Sequence, residues 1–279
     1  MLELLHYSFF TNALIVSILA GILGGCIGTY IVTRRLVFIA GGLAHASLGG
    51  VGLCALCSAP PIVGASVFSL LSAAGIKKIS HTPSVKEDAA IAMIWAFGMS
   101  LGIICAFMSP TFLPDLPNYI FGNILLSTTS DIVFLATLTL ITTVFFLRYM
   151  PQIAAIAFDR EFARSIRVPV NFLENSLTVI IALSVVAILR SMGIVLAISL
   201  LSIPQITAGI FARKFSQTIG LSILITIADS LLGLYLSYQF NVPSGATIVF
   251  VSIVIYALCK TIKTLSTRLE YKKLKSSKA

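Results

Sequence analysis

Long apolar runs alternate along this chain with short stretches that hold nearly all of its charge. A helix needs about 20 residues, each rising 1.5 Å, to cross roughly 30 Å of hydrocarbon. On that measure Phe10 to Thr33 is one span. Leu36 to Ile76 holds no Lys, Arg, Asp or Glu and fits two spans broken at Pro60-Pro61. Asp88 to Met108, Asp131 to Leu147, Phe172 to Leu189, Ile194 to Phe211, Thr218 to Phe240 and Ala246 to Leu258 follow. The set numbers about nine, or eight if the Gly-rich second and third segments are broken. The pattern predicts an all-α polytopic membrane protein, with a transmembrane domain over residues 1–259 and a basic tail over 260–279.

Composition agrees with lipid as the solvent. Of 279 residues, 58% are hydrophobic and 10% charged, against about 25% charged in water-soluble chains. The net charge is +9, and the tail from Lys260 onward, with seven basic residues against Glu270, carries six of those charges. The other basic residues cluster at Arg34/Arg35, at Lys77/Lys78/Lys86, at Arg148/Arg160/Arg164/Arg167 and at Arg213/Lys214, while Arg190 stands alone. Short loops rich in Lys and Arg stay on the cytoplasmic side. Each cluster therefore reads as an inside loop of a cytoplasmic-membrane protein, with the N-terminus outside and the C-terminus inside, and only Arg190 departs from the rule. The first residues carry Glu3 rather than a basic group, and the apolar run after them is long enough to remain as a span, so no cleavable signal is expected. The basic excess belongs with anionic lipid rather than nucleic acid.

Chemistry that would drive turnover is missing from the sequence. No G-x-x-x-x-G-K-[ST] loop is present, so this chain does not hydrolyse a nucleotide by that device, and any energy it needs comes from a partner or a gradient. Neither H-E-x-x-H nor G-x-S-x-G occurs, which argues against a membrane-embedded enzyme. The five cysteines lie in or at the ends of apolar spans and suit packing; Cys54 and Cys57 share a helix face and are a conceivable soft-metal pair.

Four features carry information. His45 is flanked at i−4 and i+4 by Gly41 and Gly49. The bare face lets another helix approach closely or leaves a gap for a solute, and the imidazole either donates one hydrogen bond across a packed interface or lines a path. Asp229 lies inside the apolar run Leu221 to Leu236, where a carboxylate needs a partner or a wet cavity, as a second ligand or as an acceptor for nearby Ser and Thr. In the inside segment at about 149–170, Asp159 is suited to cap a helix that ends before Pro169. Phe158, Phe162 and Ile166 repeat every four residues, with Arg160, Arg164 and Arg167 on the other side. That amphipathic helix is either interfacial or a docking element for a cytoplasmic subunit. Finally, Ser84 and Glu87 form a capping box ahead of the fourth span, the proline-rich stretch Ser109 to Asn118 suits a rigid outer rim, and Tyr119 to Leu126 is too short to cross.

Taken in order, several stretches resemble the membrane permease of ABC-type importers for zinc, manganese or iron, over close to the full length. They are Arg34-Arg35-Leu36-Val37-Phe38-Ile39 leading into Leu43-Ala44-His45-Ala46-Ser47, then Glu87-Asp88-Ala89-Ala90-Ile91, Phe121-Gly122-Asn123-Ile124-Leu125 and Phe158-Asp159-Arg160-Glu161-Phe162-Ala163-Arg164. Ile203-Pro204-Gln205-Ile206-Thr207-Ala208 and Leu236-Ser237-Tyr238, followed by Pro243-Ser244-Gly245-Ala246-Thr247-Ile248, complete the series. The resemblance implies a permease protomer that pairs with a second copy, an ATP-binding subunit on the cytoplasmic side and a metal-binding protein outside. It implies no permanently bound cofactor, a transported divalent metal, with zinc favoured here over manganese or iron, and metal passing His45; either His45 works with residues of other spans, Asp229 being the first candidate, or metal passes with fewer fixed ligands. Phe158, Asp159, Arg160, Glu161, Phe162 and Arg164 would couple the ATPase to the permease. The family usually has a carboxylate four residues before the second-span His, and this chain has Gly41 there. A permease for a metal chelate or siderophore, and a channel or carrier working without ATP, are the alternatives.

Overall fold

The computed structural model describes residues 8–80, 85–109 and 124–276, and all regular structure in them is helical. The helices are α1 (Ser8–Thr33), α2 (Val37–Leu56), α3 (Pro61–Ser80), α4 (Glu87–Met108), α5 (Thr129–Phe158), α6 (Arg160–Ser165), α7 (Val170–Met192), α8 (Ile194–Leu200), α9 (Ile203–Gly209), α10 (Phe215–Phe240) and α11 (Ser244–Ser276), with a 3-10 turn at Ile124–Leu126. Among the described residues, eight helices are long and apolar enough to cross a membrane. The segment Ile194–Gly209 is apolar but broken.

The break has a local cause. Pro204 has no N–H to give to the preceding turn, so it is tolerated only in the first turn of a helix, where it sits here. Backbone carbonyls freed in lipid must find another donor. The Gln205 amide supplies it, donating from Nε2 to the Leu200 carbonyl at 3.0 Å and to the Gly24 carbonyl of α1 at 2.9 Å. Gly24 and Gly28 let α1 come that close, since a Cβ at Gly28 would lie 2.6 Å from Gln205 Nε2.

Tertiary bonds sort the helix ends into two groups. At one end Ser127 Oγ donates to the Ser191 carbonyl, Ser109 Oγ to the Ala55 carbonyl, and Arg190 pairs with Asp131. At the other, Arg34 and Arg160 meet Glu174, Lys77 bonds Asn175, and the Phe158 and Phe215 rings are in contact. Because Arg190 belongs to the first end and Phe215 to the second, α8 and α9 together make one passage in two pieces. The expected single helix from Ile194 to Phe211 is thus a correction, and it is this segment, not the Gly-rich second or third, that is interrupted.

Two further expectations change. The fifth span does not stop at Leu147 but runs to Phe158, passing Pro151 through a kink at Tyr149 (φ −117, ψ 16). Helix α4 starts at Glu87 with Lys86 in the capping position and no side-chain cap bond, so Glu87 is not the third residue of a box; Ser84 itself lies outside the described residues. The stretch 110–123, which includes the proline-rich rim and Phe121-Gly122-Asn123, also lies outside them.

Arg190 loses its anomaly. Its Nε donates to Asp131 Oδ1 at 2.5 Å, while Asp131 Oδ2 accepts from the Thr128 backbone N–H at 3.0 Å in a capping box that starts α5. A cation near the apolar run is held by a carboxylate that is itself fixed by a helix N-terminus.

Candidate functional site

Helix α2 is clasped between α3 and α4. Glycines make that possible: a Cβ at Gly50 would meet the Gly64 carbonyl oxygen of α3 at 1.9 Å, and one at Gly52 the Gly102 carbonyl oxygen of α4 at 2.4 Å. On the His45 face, a Cβ at Gly49 would lie 2.8 Å from Phe68, so this side of the imidazole is closed by packing rather than left as a gap. At Gly41 the surroundings are looser, with Ile198 of α8 at an ordinary 3.6 Å.

His45 is half-buried. Its ring stacks on Trp95 of α4, with centroids 4.4 Å apart and an interplanar angle of 11°. Trp95 in turn donates from Nε1 to Met99 Sδ at 2.9 Å, which fixes the indole. His45 Nδ1 is buried and has no hydrogen-bond partner among the described residues. A buried imidazole nitrogen normally finds one, so Nδ1 is an exception, and the ring is held by its stack on Trp95 instead.

Asp229 is placed differently. It is 0% exposed in α10, and Oδ2 accepts from Ser252 Oγ of α11 at 2.5 Å, while Oδ1 has no partner. His45 and Asp229 therefore lean on different helices. Among the described residues no group of three or more His, Cys, Asp and Glu is arranged to hold a metal ion. Cys54 and Cys57 are free thiols.

The predicted amphipathic segment folds as the short helix α6. Asp159 Oδ1 accepts from the backbone N–H of Glu161 at 2.9 Å and of Phe162 at 3.0 Å, the capping expected of it. The helix closes before Arg167, which turns the chain with φ 59 ahead of Pro169. Phe158, Phe162 and Ile166 are 72%, 55% and 52% exposed, while Ala163 is buried and seats the helix. Arg164 pairs along the helix with Glu161 at 2.9 Å. The outward basic face is a partial match only, because Arg160 turns back onto Glu174 of α7 at 2.7 Å.

Sequence reasoning missed Trp95, Ser252 and Glu174. Trp95 is the chain's single tryptophan, a weak cue, and Glu174 is an acid just beyond a basic loop. Their roles depend on which helices pair.

The sequence matches the ABC 3 transport family over residues 6–263, and the chain belongs to that family. It is 34% identical over 258 residues to an uncharacterized membrane protein of Synechocystis, covering 92% of each chain. It is 30% identical over 253 residues to the manganese transport system membrane protein MntC of Listeria monocytogenes, covering 91% of this chain and 90% of that one. Among solved structures, PsaBC of Streptococcus pneumoniae in complex with Fab aligns with a TM-score of 0.83 and 30% identity over 92% of both chains. The all-helical membrane permease expected from the sequence is thus the fold and the family of this chain.

Proposed function

We propose that this chain is the membrane-spanning subunit of an ATP-driven importer that moves a divalent transition metal across the cytoplasmic membrane, and that it works beside a second copy of itself. The match to the ABC 3 transport family over residues 6–263 carries this reading. Manganese is preferred as the cargo over zinc, because manganese is what the Listeria relative is named for. Imidazole suits several first-row cations, so His45 alone does not rank them.

In this reading the helix ends joined through Arg34, Glu174 and Arg160 face the cytoplasm, since the basic clusters gather there. Both termini then follow the sidedness expected from nine passages, N-terminus outside and C-terminus inside. The exposed Phe158, Phe162 and Ile166 of the α6 region form the apolar contact for a separate ATPase, with Asp159, Glu161 and Arg164 holding the helix in shape and Arg160 tying it to α7. The opposite end receives an extracytoplasmic metal-binding protein. His45 offers cargo one loose contact, as a conduit must bind weakly enough to release.

The test uses cells stripped of their own metal importers, with and without this chain together with its ATPase and binding-protein partners. Elemental analysis should show a rise in manganese that needs all three parts. A rise in none of manganese, zinc or iron, with assembly verified, sinks the metal reading in favour of a chelate. Uptake without the ATPase points to a carrier. Phe162→Ala with Arg164→Glu should lower transport-coupled ATP hydrolysis several-fold. Arg160→Glu is a poorer probe of docking, because it sets a second carboxylate against Glu174.

A further inference from the structure

A cavity of about 310 Å³ lies between α1, α2, α3 and α7, with Arg160 at the start of α6 on one side. Its wall is mainly apolar, with Ile31, Leu36, Ile39, Leu43, Ile76 and Ile181 beside the hydroxyls of Tyr30, Ser80 and Thr178, and its charged edge is made by Arg34, Lys77, Arg160, Glu87 and Glu174. None of the six apolar lining residues carries a polar side-chain atom, whereas the charged edge brings three cations to two carboxylates.

The two arginines are incompletely used. Arg34 reaches Glu174 Oε1 with one terminal nitrogen at 3.6 Å and the Ile156 carbonyl with the other at 3.4 Å. Arg160 donates one terminal nitrogen to Glu174 Oε2 at 2.7 Å. The Nε–H of each is buried and has no acceptor among the described residues. Glu174 thus serves two guanidinium groups, the Tyr30 hydroxyl also bonds Arg34, and the Nε–H of each arginine is left over. Buried N–H groups of charged side chains are costly to leave without an acceptor. Lys77 adds a third cation, whose ammonium bonds the neutral Asn175 side chain among the described residues.

We propose that this cavity binds an anionic phosphate group. A tetrahedral phosphate has enough oxygens to accept from Lys77 and from the terminal N–H groups of Arg34 and Arg160, whose side chains are 28% and 35% exposed, while Glu174 keeps its existing contacts. The apolar wall next to the charged edge fits a phosphate carried on an acyl chain, and basic pockets between helices at the cytoplasmic end suit anionic lipid headgroups. Bound phosphate would join α1, α3 and the start of α6, so its occupancy would hold α6 against the bundle. The site is separate from His45 and holds whatever the cargo is.

The full-length purified chain, in phosphatidylcholine-containing micelles, is titrated with phosphatidylglycerol and, separately, with inorganic phosphate. Native mass spectrometry counts the bound molecules. The expected result is saturable uptake of one phosphate-bearing molecule per chain, with phosphatidylglycerol preferred about tenfold or more over phosphatidylcholine. Arg34→Gln with Arg160→Gln should weaken it about tenfold or more, and Lys77→Gln should weaken it less. Glu174→Gln should tighten it, because the one carboxylate bonded to both guanidinium groups is neutralised. If the double variant fails to fold, the opposite signs of Lys77→Gln and Glu174→Gln carry the test. Inorganic phosphate that displaces the lipid with the same dependence on the variants identifies free phosphate as a source for the same site; lipid binding untouched by phosphate identifies the headgroup. No saturable binding of either, or equal affinity in all these variants, overturns the proposal.

Discussion

His45 and Asp229 both sit inside apolar spans, yet the helices around them treat them in opposite ways. Asp229 is sealed, 0% exposed and tied to Ser252 of the next helix. His45 is half-buried, leaning on Trp95 through ring faces alone and keeping Nδ1 without a partner. Ionisable side chains in membranes are costly and invite a functional reading, but the comparison separates two ways of meeting that cost. One ties a single oxygen of the group into a helix–helix bond, with Oδ1 left unbonded among the described residues. The other holds the ring in place by stacking, with a buried Nδ1 that no described residue bonds.

The largest expected effect comes from breaking the seat of His45. At Gly50 a Cβ would overlap the Gly64 carbonyl oxygen, a backbone atom that cannot swing aside. Gly50→Val should force α2 and α3 apart and cost more than about 3 kcal/mol, seen as loss of folded protein in detergent by size-exclusion fluorescence. Wild-type levels would mean that α2 is not clasped as described. Next in size is Asp229→Leu, which removes the acceptor of Ser252 and should cost about 1–3 kcal/mol in thermal unfolding. Asp229→Asn, able to accept through its carbonyl oxygen, should cost less and leave metal preference unchanged. Altered preference at normal abundance would put Asp229 on the path and erase the contrast with His45.

Much of this was legible in the sequence because lipid imposes simple rules. Span length and basic clusters locate the crossings, and Pro60-Pro61 marks the α2–α3 turn, with α3 starting at Pro61. Arg148 misled as a stop signal: a helix that reaches the interface has no reason to end at a cation, and α5 continues to Phe158. Pro204 was visible, but the broken passage depends on Gln205 reaching Gly24 across 181 positions, which no local pattern encodes. The same holds for Arg190 and Asp131, 59 positions apart. At the site, His45, Asp229 and the Asp159 cap stand out as residue types in unusual places. Trp95, Ser252 and Glu174 do not, because their meaning comes from which helix each one faces.

His45→Ala tests the open member of the pair. It removes a side chain that makes no hydrogen bond through Nδ1 and one ring stack, so folding should change by no more than about 1 kcal/mol. Manganese uptake should fall about tenfold, the equivalent of about 1.4 kcal/mol of cation stabilisation on the path. Uptake unchanged at equal membrane abundance would return His45 to the role of a packing residue like its neighbours.

The smallest and most discriminating change is Gly41→Asp. The position lies one helical turn before His45 on the same face, so a carboxylate there shares a face with the imidazole. Space permits it: a Cβ at Gly41 meets only Ile198 side-chain atoms, at 3.6 and 4.0 Å, unlike Gly49 and Gly50, where backbone or ring atoms stand closer than 3 Å. A carboxylate beside an imidazole adds a hard oxygen ligand and favours divalent cations such as Mn²⁺. Uptake at limiting manganese should therefore rise a few-fold in Gly41→Asp, and maximal uptake should fall as the tighter site releases more slowly. Both changes should vanish in the double variant with His45→Ala, since one ligand alone restores no pair. A change in Gly41→Asp that persists without His45 would show that the new carboxylate acts by itself, and His45 would lose its claim to a place on the path.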